Sequence, residues 1–270
     1  MKSDLGVQNF NPLLDPPPEP VQLSAAPLAI VLTQLRFLPV PKMESEAFIA
    51  GFQDRVRKGY PRFSREQVVL PFIAQAAPGV PQTPVRTFWR MASFDSQWTL
   101  TLTQDFLTLE TKAYTHRDDF VGRWSEIIEA FRLSFPDITA VRYGLRYVNR
   151  VDNPALMQRI QDLVQPPALG ILSQLPDAEV SMSETLFSVP EGKMRVKWGI
   201  LPPNVMHDPS IEASSSRSWI LDYDLFQEAS HEPLELGAIR DIASRFAERG
   251  YAMFRWMVRP SFLEVFGGKP

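Results

Sequence analysis

The chain has no cysteine, which excludes disulfide bonds, thiolate metal centres and cysteine nucleophiles together. It also lacks any run near the ~20 apolar residues needed to cross a bilayer. Even Leu23 to Leu38 is broken by Pro27, Gln34 and Arg36. Histidine is scarce: His116, His207 and His231 are the only three in 270 residues, no two spaced as ligands to one ion, and all three read as exposed loop residues. Charge of one sign is missing as well. A net charge of −3 sets up no global field for a nucleic-acid backbone, so nucleic acid is a disfavoured partner. No phosphate-binding glycine loop, dinucleotide fingerprint, zinc-protease helix or nucleophile elbow occurs, and no cofactor is implied. Met1 to Pro20 carries Asp4, Asp15 and Glu19 among prolines, with no apolar stretch of the kind a signal peptide uses. The expectation is a soluble cytoplasmic protein with no membrane attachment.

Hydrophobic residues make up 44% of the chain and charged residues 22%, enough apolar surface to build a core. Asp15 to Pro20 reads DPPPEP, which fixes φ at successive positions and predicts a flexible, extended leader over residues 1–27. Leu28 to Leu38 is rich in branched aliphatics and reads as a strand. Phe48, Ile49, Phe52 and Val56 mark an amphipathic helix between Glu44 and Gly59. After a proline-rich connection from Pro71 to Pro84, strands are expected at Arg86 to Phe94, at Trp98 to Leu102, where apolar residues alternate with threonines, and at Phe106 to Tyr114. Phe120, Trp124, Ile127, Ile128, Phe131 and Phe135 hold one helical face over four turns, with Thr115 and Asp118 as a capping pair and Pro136 beyond the end.

The order then repeats. Ala140 to Arg150 reads as a strand and Asn153 to Val164 as a short helix. Val180 to Leu201 reads as a hairpin turning at Pro190-Glu191-Gly192, and Ser218 to Phe226 as a strand. Leu236 to Val258 reads as a helix that Gly250 bends or divides, and Ser261 to Phe266 as a terminal strand. A polar loop with three serines, Pro202 to Arg217, is expected to be mobile. The fold class is therefore α+β. Residues 28–138 and 139–270 form two similar halves of strand, helix, three strands and helix, an internal duplication packed as one unit, with antiparallel or mixed sheets and helices on one face.

The segments GLRYVNR at Gly144 to Arg150 and SWILDYDLF at Ser218 to Phe226 resemble motifs of a sporadically distributed family of uncharacterised bacterial and archaeal proteins. The resemblance spans most of Pro27 to Val258. It implies a prokaryotic source, and the family's sporadic distribution would suggest mobile or defence-related gene neighbourhoods. It brings no established activity and no catalytic residues.

Two clusters carry the chemistry. Arg142, Arg146 and Arg150 share one strand face, and three permanent cations at that spacing require carboxylates or an anionic ligand or partner. Asp222 and Asp224 share a face of a later strand, where they either balance the arginines, together with Glu184, or hold a divalent cation with a third carboxylate. Asn149 lies on the apolar face and needs a structural hydrogen bond, and the six tryptophans read as core. The leading expectation is a non-enzymatic binding or accessory protein that engages a protein or other ligand through a concave sheet or inter-half groove. A metal-dependent hydrolase or phosphate-handling enzyme and a nucleic-acid binder stay open beside it.

Overall fold

A computed structural model describes residues 10–69, 85–175, 177–230 and 232–268. Its strands are β1 (Leu28–Phe37), β2 (Arg62–Val69), β3 (Val85–Ala92), β4 (Trp98–Leu102), β5 (Phe106–Thr111), β6 (Ala140–Val151), β7 (Ser181–Val189), β8 (Gly192–Leu201) and β9 (Ser218–Glu228). The helices are α1 (Glu46–Val56), α2 (Arg117–Ser134), α3 (Pro154–Met157), α4 (Ile160–Leu163), α5 (Ile239–Met257) and α6 (Pro260–Val265). The strands form an antiparallel sheet in the order β2-β3-β4-β5-β1-β6-β9-β8-β7, so α+β is the class.

Two units are distinguished by their internal contacts. One comprises the chain up to Val31, Gly144–Gln227 and Asp241 onward; the other comprises Leu32–Tyr143 and Glu228–Arg240. Strands β1 and β6 each contribute to both.

In the second of these units, α2 buries Phe120, Val121, Trp124, Ile127, Ile128 and Phe131. At ~1.5–3 kcal/mol per large apolar side chain, that face contributes on the order of 10 kcal/mol before entropy is charged against it, far more than helix propensity supplies. Trp124 stacks on Tyr143 of β6, whose hydroxyl lies 2.9 Å from Thr33 Oγ1. Phe131 meets Phe37 of β1 and Phe52 of α1. The helix cap is His116, whose Nδ1 accepts from the Asp118 amide, rather than the expected Thr115. Strand β2 was not anticipated, because its RFSREQ segment is exposed at a sheet edge and has no apolar alternation to announce it. Four strands therefore follow α1 where three were expected. The Pro71 to Pro84 connection lies outside the described residues.

In the first unit, the odd-numbered residues of β9 face the helices. Gly250 does not divide α5, which is continuous from Ile239 to Met257. A Cβ at Gly250 would sit 2.9 Å from the Tyr223 ring, so glycine is what lets the helix approach the strand. Ser261 to Phe266, expected as a strand, belongs instead to α6 and its cap. Pro260 starts the helix, and the rings of Phe262 and Phe266, one turn apart, meet tilted with centroids 4.6 Å apart. The helix expected over Asn153 to Val164 is two short ones, with Arg159 (φ −118°, ψ 23°) breaking the path between them. The hairpin is as read, β7 and β8 joined at Pro190-Glu191.

Residues 10–27 run beside α5. Arg249, 6% exposed, donates to the carbonyls of Pro12, Leu14 and Asp15 and forms a bidentate pair with Glu191. Arg255 donates to the Glu19 carbonyl, and Tyr251 Oη accepts from the Val21 amide. Proline content accounts for the extended path, and Arg249 accounts for the anchoring.

Candidate functional site

The even-numbered face of β6 and β9 in the first unit carries the charges singled out in the sequence. Arg146 Nε and Nη2 each donate at 2.8 Å to the two oxygens of Asp222, a bidentate fork between neighbouring strands. Its Nη1 donates at 2.8 Å to Asp208 Oδ2, and His207 Nε2 lies 2.8 Å from Asp222 Oδ2. His207 and Asp208 come from the loop that joins β8 to β9, so that loop is pinned to the sheet. Ile211 secures it further, buried in an apolar cluster with Ile30, Val148, Leu201 and Ile220. The polar, serine-rich composition suggested mobility, but one aliphatic side chain and two polar ones dock the loop. Exposed loop histidines were expected; His207, with its side chain 9% exposed, is a correction. His231 lies outside the described residues.

The electrostatics follow from this geometry. Burial alone would raise the Asp222 carboxyl, but the hydrogen bonds and charges of Arg146 and His207 hold it below the usual carboxylate range. Burial likewise opposes ionisation of Asp208. Two hydrogen bonds from Ser210 and the pairing with Arg146 overrule it, and the carboxyl falls to about 2. Burial would lower the Arg146 guanidinium, and its two aspartates raise it instead. The group is satisfied internally: Asp222 spends both oxygens on Arg146 and His207, and Arg146 spends three nitrogens on carboxylates.

The other expected site residues are dispersed. Arg150 donates to the Glu212 carbonyl and pairs with Asp152 at 3.1 Å. Arg142 lies in the part of β6 that belongs to the other unit. Asp224 faces Arg195 in the β8–β9 register, and Glu184 pairs with Arg195 and Lys197 at 3.4 and 3.5 Å. Asp222 and Asp224 thus meet cations, and among the described residues no group of three or more His, Asp or Glu side chains is placed to hold a metal ion. Asn149 is 2% exposed, with its amide 3.4 Å from the Leu221 carbonyl, the structural role expected of it. Trp89, Trp98, Trp124 and Trp219 are buried, while Trp198 and Trp256 are only partly so.

A second feature of this unit is the free edge of β7. Among the described residues its sole strand neighbour is β8. Val189 and Gly192 close a two-residue turn and form a hydrogen-bonded pair, so alternation turns the N–H and C=O groups of Ser188, Leu186, Glu184 and Met182 away from β8. The side chains of these residues share the exposed face: Met182 is 40% and Leu186 52% exposed, and Val180, just before the strand, is 56% exposed. The single charge, Glu184, is balanced from β8.

Asp208 and Arg249 were missed by sequence reasoning. Asp208 lies in a loop with no periodicity, and Arg249 falls on a helix where arginine is ordinary; only the later contacts distinguish them. Comparison with protein-family models returns no match along the chain, and comparison with curated proteins returns none either.

Proposed function

We propose that the protein is a binding protein that takes an extended segment of a protein partner onto β7. One observation carries this reading: β7 is a nine-residue unpaired edge, without proline, whose outward backbone groups coincide with exposed Met182 and Leu186. Such an edge is a template for strand addition, in which main-chain hydrogen bonds supply affinity and alternate side chains supply selectivity. The exposed face next to it carries Lys193, Arg195 and Lys197 on β8 against Glu184 on β7 and Asp224 on β9, one positive charge in excess, so the segment expected is acidic as well as extended. The arginine cluster supports the same reading, since its charges are already satisfied. The orders β3-β4-β5-β1 and β7-β8-β9-β6, with the long helices α2 and α5, further support an internal duplication to which β2 is an addition.

Selection of a random peptide library on the immobilised full chain tests this. The expected result is enrichment of β-prone peptides bearing Asp or Glu, whose binding is lost in Met182→Glu with Leu186→Glu. Enriched peptides that bind the double variant as well as the parent would refute it.

A further inference from the structure

The edge of β7 has a second side. The 3₁₀ segment Pro166–Ser173 packs on the sheet face opposite to Met182 and Leu186, and it runs outward across that face. The Ala168 carbonyl accepts from Trp219 Nε1 of β9, and two residues later Gly170 (φ 57°) lies against Ser183 and Trp198, register partners of β7 and β8. A Cβ at Gly170 would sit 3.2 Å from Ser183 Oγ, so the backbone there touches the edge strand itself. Leu169 and Leu172 turn inward and are buried, whereas Ile171, the residue after Gly170, is 58% exposed. Leu175, one turn on, donates its amide to the Ile171 carbonyl at 2.9 Å and is 61% exposed. A strand added to β7 would lie ~4.8 Å beyond it, within one residue step of ~3.8 Å and a side chain's length of Gly170.

We infer that Ile171 and Leu175 form an apolar shelf against the strand that β7 accepts, so that the partner segment alternates aliphatic with acidic residues; this rests on the strand-addition reading of β7. Residues opposite each other in a sheet point to one face, so the partner residue beside Ser183 and those two places from it turn toward the shelf. The residues between them turn to the face of Lys193, Arg195 and Lys197, where acidic side chains are matched. Aliphatic side chains on the shelf remove Ile171 and Leu175 from water, which an uninterrupted acidic run cannot do. The partner is thus an extended amphipathic segment, acidic on one face and aliphatic on the other, and not an acidic tail.

Two synthetic peptides of one composition test the inference by fluorescence anisotropy with the full chain: Glu-Val repeated five times, and the same residues as a block of Glu followed by a block of Val. The alternating peptide is expected to bind about tenfold or more tightly than the block peptide. Ile171→Ser with Leu175→Ser weakens it about tenfold while circular dichroism is unchanged, and Ile171→Met with Leu175→Met, which keeps the shelf apolar, retains its affinity. Equal affinity of the two peptides, or alternating-peptide binding unchanged in the serine variant, would overturn the inference. Where that binding is still lost in Met182→Glu with Leu186→Glu, the β7 reading survives. No binding of either peptide also overturns the inference and leaves the β7 reading to the library selection.

Discussion

The sheet ends in two edges of opposite character. Strand β2 exposes Arg62, Arg65 and Glu66; Glu66 pairs with Arg90 at 2.7 Å, and Arg65 lies over the Trp89 ring. Strand β7 exposes Met182 and Leu186 around one neutralised carboxylate. Charged side chains on an edge are a standing defence against unwanted pairing. Where that defence is present the edge is closed to partners, and where it is missing from a long, proline-free strand the edge is open for use. That contrast is the reason recognition is proposed at β7, without appeal to any catalytic constellation.

The largest expected effect concerns the support behind β7. Asp222→Ala leaves Arg146 and His207 facing a buried gap, and urea denaturation should show a loss of ~3 kcal/mol. Arg146→Met with Asp222→Leu, which removes both charges, should recover most of it. A single variant no less stable than the parent would mean that the cluster is not the buried, shared pair described here.

Next come the edges themselves. Met182→Glu with Leu186→Glu should weaken binding of a selected acidic peptide about thirtyfold, ~2 kcal/mol, while folding stability changes by less than ~0.5 kcal/mol. Glutamates at Ser64 and Val68 of β2 should change neither. Equal losses from both edges would erase the comparison.

Acid gives a smaller effect. The carboxyls of Asp208 and Asp222 are depressed in the folded chain, so the unfolded chain binds protons first as pH falls. Their stabilisation is complete above the unfolded carboxylate range, near pH 4, and is lost as pH falls toward about 2. Asp208 is part exposed, and after solvent screening its share is ~1–2 kcal/mol. The urea midpoint should therefore drop between about pH 5 and about pH 3, less so in Asp208→Asn. The smallest effect is expected in β2, where Arg65→Val with Glu66→Val should alter stability by under ~0.5 kcal/mol yet raise self-association in sedimentation velocity.

Much of this fold was legible because burial writes a period into the chain. The alternation at Trp98 to Leu102 and the stripe from Phe120 to Phe131 each have one dry face, and both elements lie where the pattern puts them. Strand β2 was illegible for the converse reason, since an exposed edge imposes no alternation. The balance of Arg146 by Asp222 could be anticipated from charge and spacing along two strands. Asp208, His207 and Ile211 could not, because they reach the sheet from a loop whose path depends on tertiary contacts.

The central claim is that β7, and not β2, is the edge that meets a partner. The most direct measurement places a photo-crosslinking residue at Leu186 or at Arg65 in the full chain, irradiates the cells that produce it, and sequences the adducts. The account predicts a discrete adduct to an acidic segment of one polypeptide from position 186, lost when Met182→Glu is added, and none from position 65. Adducts of equal yield from both positions, or an adduct at 186 that survives Met182→Glu, would contradict it.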